Sequence, residues 1–340
     1  NYMNGEGEGN SEAINENDVS LLIDLTLSHN NREIQEFLKS KELTFSGNTQ
    51  KLRERLRKYY DSGDVTVEEI IALLDQLEEY GNQHIYLFTL PENYLSLLRD
   101  EESLRLHLER HEILELYNEY QPLFLPENPE IISINHDLDW FKIRWGVKKE
   151  DFGTPIEKNI IQEDDGQKYL IQKFLIKNIR ETTLFQVSMV NGDAELLIHR
   201  STDSNYEQEK EKYMNQIYEI FNWDPLNPIE LNPAIVHIEA SGEVRTRNIN
   251  LQTPRMSNIE IVSPSKEQSI NDDSDALTTR NSVNMAVGRR GNFYWLPERS
   301  NDALRKELYT RIYPDRFSVY GERHEEEVNY VIGRIRHHLP

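Results

Sequence analysis

The apolar residues of this chain change their period across one short stretch, and that change limits what it can fold into. Up to about residue 120 they recur at helical spacing; beyond Pro122, Pro126 and Pro129 several segments alternate apolar and polar, as half-buried strands do. Proline cannot continue a helix, so a domain boundary is expected at 121–130. A chain of 340 residues has room for a small module joined to a larger domain.

Before the boundary, Asp18 is placed to cap a helix carrying Leu21, Leu22, Leu25 and Leu27. A second helix over 32–41 spaces Ile34, Phe37 and Leu38, and a third begins after Ser46, whose hydroxyl can serve as N-cap, and runs through Tyr60. Residues 64–79 read as another helix (Ile70, Ile71, Leu74, Leu77 inward), and 93–120 as one or two more with acidic outer faces. After the boundary, Phe141, Ile143 and Trp145 alternate with Lys142 and Arg144, a strand with a basic outer row. Asn191-Gly192 joins strands over 183–190 and 194–200, and 205–221 reads as an amphipathic helix. A second hairpin is expected around Ser241-Gly242 (235–239 with 243–249), then a strand over 292–296 following a basic turn, Gly288-Arg289-Arg290-Gly291. Helices over 302–313 and 322–338 close the chain.

The fold class expected is therefore α+β: an N-terminal all-helical module and helical extension, followed by a mixed α/β domain with antiparallel hairpins. The divisions are a disordered 1–17, a module over 18–62, an acidic helical extension over 63–120, an α+β domain over 130–262, a Ser/Asn/Asp-rich flexible loop over 263–284, and a C-terminal strand and helices over 285–340.

Net charge sharpens the functional reading. At −22 overall, the average field repels phosphate, so any nucleic-acid site must be local. Residues 31–60 hold eight basic residues against four acidic ones. Along the third helix Leu52, Leu56 and Tyr59 form a narrow apolar stripe, flanked by Lys51, Arg55 and Lys58 on one side and by Arg53 and Arg57 on the other. Opened by the small residues Ser46, Gly47 and Asn48, and by Thr49, such a helix can offer first-turn amides to a phosphate while its cations follow the backbone.

The segment Glu42-Leu43-Thr44-Phe45-Ser46-Gly47-Asn48-Thr49-Gln50-Lys51-Leu52-Arg53-Glu54-Arg55-Leu56 resembles the SAP motif of chromatin and DNA-repair proteins. Leu43, Ser46, Gly47, Leu52, Arg55 and Leu56 stand at that family's spaced Leu, Ser-Gly, Leu and Arg-Leu positions. The resemblance implies two helices joined by an extended turn, with double-stranded DNA, often A·T-rich, bound at the start of the second. Glu42 replaces the family's usual Gly, and Thr49 its usual DNA-facing Lys, for which Lys51 and Arg53 can compensate. More loosely, the order of Gly81-Asn82-Gln83-His84-Ile85-Tyr86-Leu87-Phe88, ending a helical stretch, and the later Trp140-Phe141-Lys142-Ile143-Arg144-Trp145-Gly146 is similar to the centromere protein N family over about residues 18–220. That likeness implies a non-enzymatic reader whose two domains jointly hold DNA, with Lys142 and Arg144 facing the duplex. Arg289 and Arg290 are further candidates, since a basic turn can lie along phosphates.

No catalytic centre is recognisable. Cysteine is absent, which removes thiolate zinc sites and cysteine nucleophiles, and neither a phosphate-cradling Gly-rich loop nor a serine elbow occurs. His107 and His111 lie one helical turn apart without an obvious third zinc ligand, and the acidic run 272–275 lacks the Gly and Glu of a calcium loop. Glu239, Glu243 and Glu260 with Lys266 form the one conceivable nuclease set. The expectation is a non-enzymatic binder of double-stranded DNA that needs no cofactor or metal and positions a protein partner held on the acidic helices. The alternatives are an interaction adaptor of a genome-maintenance or anti-phage complex and a metal-dependent nuclease. With no run of eighteen apolar residues and no signal-peptide plan in 1–17, an intracellular site in cytoplasm, nucleoid or nucleus is expected, away from membranes.

Overall fold

The computed structural model describes residues 14–29, 31–152, 157–174, 176–200, 205–283, 285–321 and 323–340. The expected disorder of 1–17 falls largely outside them. Contacts divide the chain into two units, Asn1–Leu77 with Glu150–Ile179, and Glu78–Lys149 with Arg180–Pro340. The division runs through a helix and two strands rather than through the proline-rich stretch.

The first unit opens with α1 (Glu16–Thr26), α2 (Asn31–Ser40) and α3 (Thr49–Ser62), and α4 (Val67–Glu79) leads out of it. α1 is capped by Asn15, whose side chain accepts from the Asp18 amide while Asp18 reaches back to the Asn15 amide, so Asp18 is the third helical residue and not the cap. α3 packs against α1 and α2, and Leu22, Ile34, Leu38, Leu52 and Leu56 are fully buried, each worth about 1.5–3 kcal/mol of transfer free energy. Tyr59, on the same stripe, brackets the backbone of Thr44: its hydroxyl accepts from the Thr44 amide (3.1 Å) and donates to the Thr44 carbonyl (3.3 Å). That pair holds the α2–α3 connection extended. A separate antiparallel ribbon, β4 (Glu157–Asp164) with β5 (Gln167–Lys173), pairs Ile161 with Leu170.

The second unit is built on ten strands in the order β2 (Glu130–His136), β3 (Trp140–Phe152), β6 (Ile176–Ser188), β7 (Asp193–His199), β1 (Gln83–Thr89), β12 (Phe317–Val319), β11 (Leu308–Ile312), β10 (Val287–Trp295), β8 (Val244–Gln252) and β9 (Asn258–Val262). β1, central and buried on both faces, sends Tyr86 and Phe88 one way and Ile85 and Leu87 the other. On the Tyr86 side, Phe141, Ile143, Trp145, Phe185 and Leu196 pack with α5 (Glu92–Arg99), α6 (Glu101–Arg110) and α7 (Tyr206–Phe221). On the Ile85 side, Phe293, Trp295, Leu308 and Phe317 pack with α8 (Asn232–Ser241) and α10 (Glu325–His337). Of the three buried indoles two are satisfied, Trp145 donating to Gln216 Oε1 (2.8 Å) and Trp295 to Thr310 Oγ1 (2.9 Å), while the Nε1 of Trp223 has no acceptor among the described residues.

The α+β class is what the sequence led us to expect, and several elements are not. The hairpin expected around Ser241-Gly242 is instead the end of α8, with Gly242 as a left-handed C-cap, followed by β8. Residues 302–313 contain β11, because Leu308, Thr310 and Ile312 alternate into the core. Gly288–Gly291 is no turn but the start of β10, bulged between Gly288 and Arg290. The stretch 263–284 holds a 3-10 turn (Ile270–Asp272) that buries Ile270, and a helix, α9 (Ser274–Ser282). No helix among the described residues is long and apolar enough to cross a membrane.

Candidate nucleic-acid interface

The α2–α3 turn is open to solvent at its tip. Ser46 and Asn48 are exposed, and Asn48, not Ser46, caps α3 by accepting from the Lys51 amide (3.1 Å). Gly47 sits at φ +146°, and a Cβ there would lie 2.8 Å from Lys51 Cβ, so the position requires glycine. Two side chains of α2 pin the turn: Gln35 donates to the Gly47 carbonyl (3.1 Å) and Asn31 to Thr49 Oγ1 (2.9 Å). Glu42, at the end of α2, has φ 59°, the left-handed conformation that glycine adopts most readily.

The cations of α3 fall into two sets. Arg53 pairs with Asp24 of α1; Arg57 pairs with Asp61 (3.0 Å) and Glu16 (3.7 Å) and donates to Ser20 Oγ (3.2 Å). These two side chains fasten α3 to α1 and its own last turn. Lys51, Arg55 and Lys58 have no carboxylate partner among the described residues, and Lys51 and Lys58 are exposed. The Nη1 of Arg55 is buried without a hydrogen-bond acceptor among the described residues, close against Gly47. Lys51, Arg55 and Lys58 thus share one side of α3, with its first turn at one end.

Lys142 and Arg144 do not form an outward basic row. They face the last turn of α4 and the first of α10, where Lys142 binds Glu79 and Glu325 (both 3.1 Å) and Arg144, 1% exposed, binds Glu79. Burial pushes the Glu79 carboxyl up, but Arg144 and Lys142 outweigh it and hold the group below the usual carboxylate range. Each cation is held by a carboxylate far away in sequence, which alternation along one strand cannot reveal. Arg289 and Arg290 are taken up by Gln252 and Glu260 across β8 and β9.

Nor do the acidic candidates gather. Glu239 pairs with Arg280, Glu243 with Arg334 and His338, and Glu260 with Arg290 and Asn248. A cleft that sequence reasoning missed does collect charge: about 230 Å³ in volume, it is lined by Glu181, Glu209, Lys149, Lys212 and His199 among others. Burial raises the Glu181 carboxyl against the pull of Lys149, and burial with Arg200 lowers the His199 imidazole. On α6, Glu101, Glu102, Arg105 and Glu109 border a shallow depression with Leu106. His107, half-buried, lies with its ring 6.5 Å from that of Phe221.

Also missed were Tyr294, Tyr309, Tyr320 and Arg311, which neighbour one another only through strand pairing; a count of tyrosines over 294–320 is the one linear signal that could have drawn attention to them. No protein-family model matches the chain, and no curated protein matches it.

Proposed function

We propose that the chain binds double-stranded DNA through the turn Ser46–Asn48 and the Lys51, Arg55 and Lys58 side of α3, and so positions other components on DNA. The observation that carries this reading is a cationic helix side without carboxylate partners among the described residues, beside an exposed helix N-terminus, on a chain of net charge −22. Cations already neutralised by carboxylates contribute little to phosphate binding, whereas unpaired ones release counterions when they meet it. The turn's amides and the macrodipole of α3 favour an anion at the same end. Glu42 in a left-handed conformation supports the SAP resemblance, because it gives that position the backbone shape the family's glycine would take.

On this reading the acidic depression on α6 would receive the partner. The test is a mobility-shift titration of A·T-rich duplex with the wild type and with a Lys51→Gln/Arg55→Gln/Lys58→Gln variant. A salt-sensitive shift that the variant loses supports DNA binding here. Absence of a shift with wild type, or an equal shift with the variant, removes it and leaves the adaptor reading.

A further inference from the structure

The strands β8, β10, β11 and β12 bury one face against α8 and α10, and their other face belongs to neither apolar cluster of the second unit. Phe293 and Trp295 point into the core, so Asn292 and Tyr294 point away; Tyr309 and Arg311 do the same between Leu308, Thr310 and Ile312. Strand pairing sets these residues in two rows. The first runs Arg245, Tyr294, Tyr309, Tyr320, with ring centroids 4.8 Å apart at each tyrosine step and the Arg245 guanidinium 4.8 Å from the Tyr294 ring. The second runs Asn248, Asn292, Arg311, Ser318, His84.

The second row leaves hydrogen-bonding capacity unused. Asn248 and Asn292 are 7% and 9% exposed, and the Oδ1 of each has no donor among the described residues. The Nε of Arg311 and that of Arg200, whose guanidinium lies 4.0 Å from the Tyr320 ring, lack acceptors too. Buried polar groups left unpaired are expensive, and here acceptors and donors stand together beside half-buried rings. The carboxylates nearby are engaged, Glu307 by Arg245, Glu260 by Arg290 and Asp315 by Arg316, so Arg200 and Arg311 give the face a positive surplus.

We infer that this face binds single-stranded nucleic acid. Guanidinium groups suit the phosphates; the asparagine carbonyl oxygens require N–H donors, which base edges carry and phosphates do not; the tyrosine rings suit base stacking. A duplex keeps its bases stacked on each other and cannot use the rings. The inference stands apart from α3 and from duplex binding there.

The test is fluorescence anisotropy of a labelled oligothymidine with the full chain. Wild type binds; Tyr294→Leu/Tyr309→Leu weakens binding at least about tenfold, and Tyr309→Phe, which keeps the ring, does not. Arg311→Gln lowers the salt slope by about 0.7, and carries the test if the leucine variant fails to fold. The Lys51→Gln/Arg55→Gln/Lys58→Gln variant binds the oligonucleotide as wild type does, which separates this site from the duplex site. No binding by wild type, equal displacement by polyglutamate, or wild-type affinity and salt slope in Arg311→Gln overturns the inference.

Discussion

Arg180 and Glu78 meet side-on in the interior of the second unit, Nε to Oε1 at 2.8 Å and Nη2 to Oε2 at 2.9 Å, with both side chains fully buried. Arg180 also donates to the Tyr120 hydroxyl and to the carbonyls of Gln121 and Phe124, so one guanidinium holds the connection after α6 against the end of α4. Such a pair is weak support for net stability but severe to break, since removing one partner strands a buried charge. Glu78→Gln is expected to lower unfolding free energy by about 3–5 kcal/mol. In urea titrations, Glu78→Gln/Arg180→Met should fall well short of the sum of its single variants; additivity would show that the two groups do not act together.

Glu42 offers the opposite sign. A side chain at φ 59° carries a steric penalty of about 1–2 kcal/mol that glycine escapes, partly offset by glycine's greater freedom when unfolded. Glu42→Gly should therefore leave the helical module unchanged or stabilise it by up to about 1 kcal/mol, against the usual loss. Thermal unfolding followed by helical circular dichroism reads this directly, and a marked drop in midpoint would remove the left-handed assignment.

The α3 cations should separate in salt titrations of duplex binding. Lys51→Gln removes an unpaired charge, so it should weaken binding and reduce the slope of log affinity against log salt by about 0.9. Arg53→Gln removes a side chain already paired with Asp24 and should leave the slope unchanged. Equal slopes for the two variants would erase the distinction between tethering and phosphate-facing residues.

Gly291 shows why a basic Gly-Arg-Arg-Gly motif misled as a turn. A Cβ at Gly291 would come within 2.3 Å of the Phe293 ring and 3.2 Å of Ile235 on α8, both fully buried. The glycine leaves room for the Phe293 ring of its own strand, with Ile235 of α8 the next nearest neighbour. Gly291→Ala should cost about 1–3 kcal/mol by overpacking, while the exposed Arg289→Ala stays within about 0.5 kcal/mol. Denaturant midpoints of the two variants decide it.

What could be read from the chain in advance was local. The stripes of α1 to α3, the amphipathic α7 and the Asn191-Gly192 hairpin declare themselves within a few residues, and each stands where expected. β1 reads in sequence as the tail of a helical stretch because a strand buried on both faces shows no alternation. Arg144 reads as outward because its partner Glu79 lies on another element, and β11 reads as a helix because its pairing with β10 and β12 is what makes it a strand. The two sides of α3 likewise differ through Asp24 and Glu16 on α1, which the basic count over 31–60 does not include.

His84 links strand pairing to pH. It lies opposite Ser318, whose hydroxyl is 2.9 Å from its Nδ1, and is 6% exposed. Burial, then the charges of Arg316 and Arg200, pull its pKa from 6.5 to about 3, so the folded chain keeps the imidazole neutral where the unfolded chain protonates it. The unfolded state then binds the extra proton, and stability, full above about pH 6.5, declines as pH falls toward 3. Between pH 7 and pH 5 this group alone should remove about 1–2 kcal/mol. His84→Gln cannot take up that proton, so its stability should fall less over the same interval. Parallel urea titrations at the two pH values read the difference, and equal losses in wild type and variant would mean that His84 is protonated alike in both states.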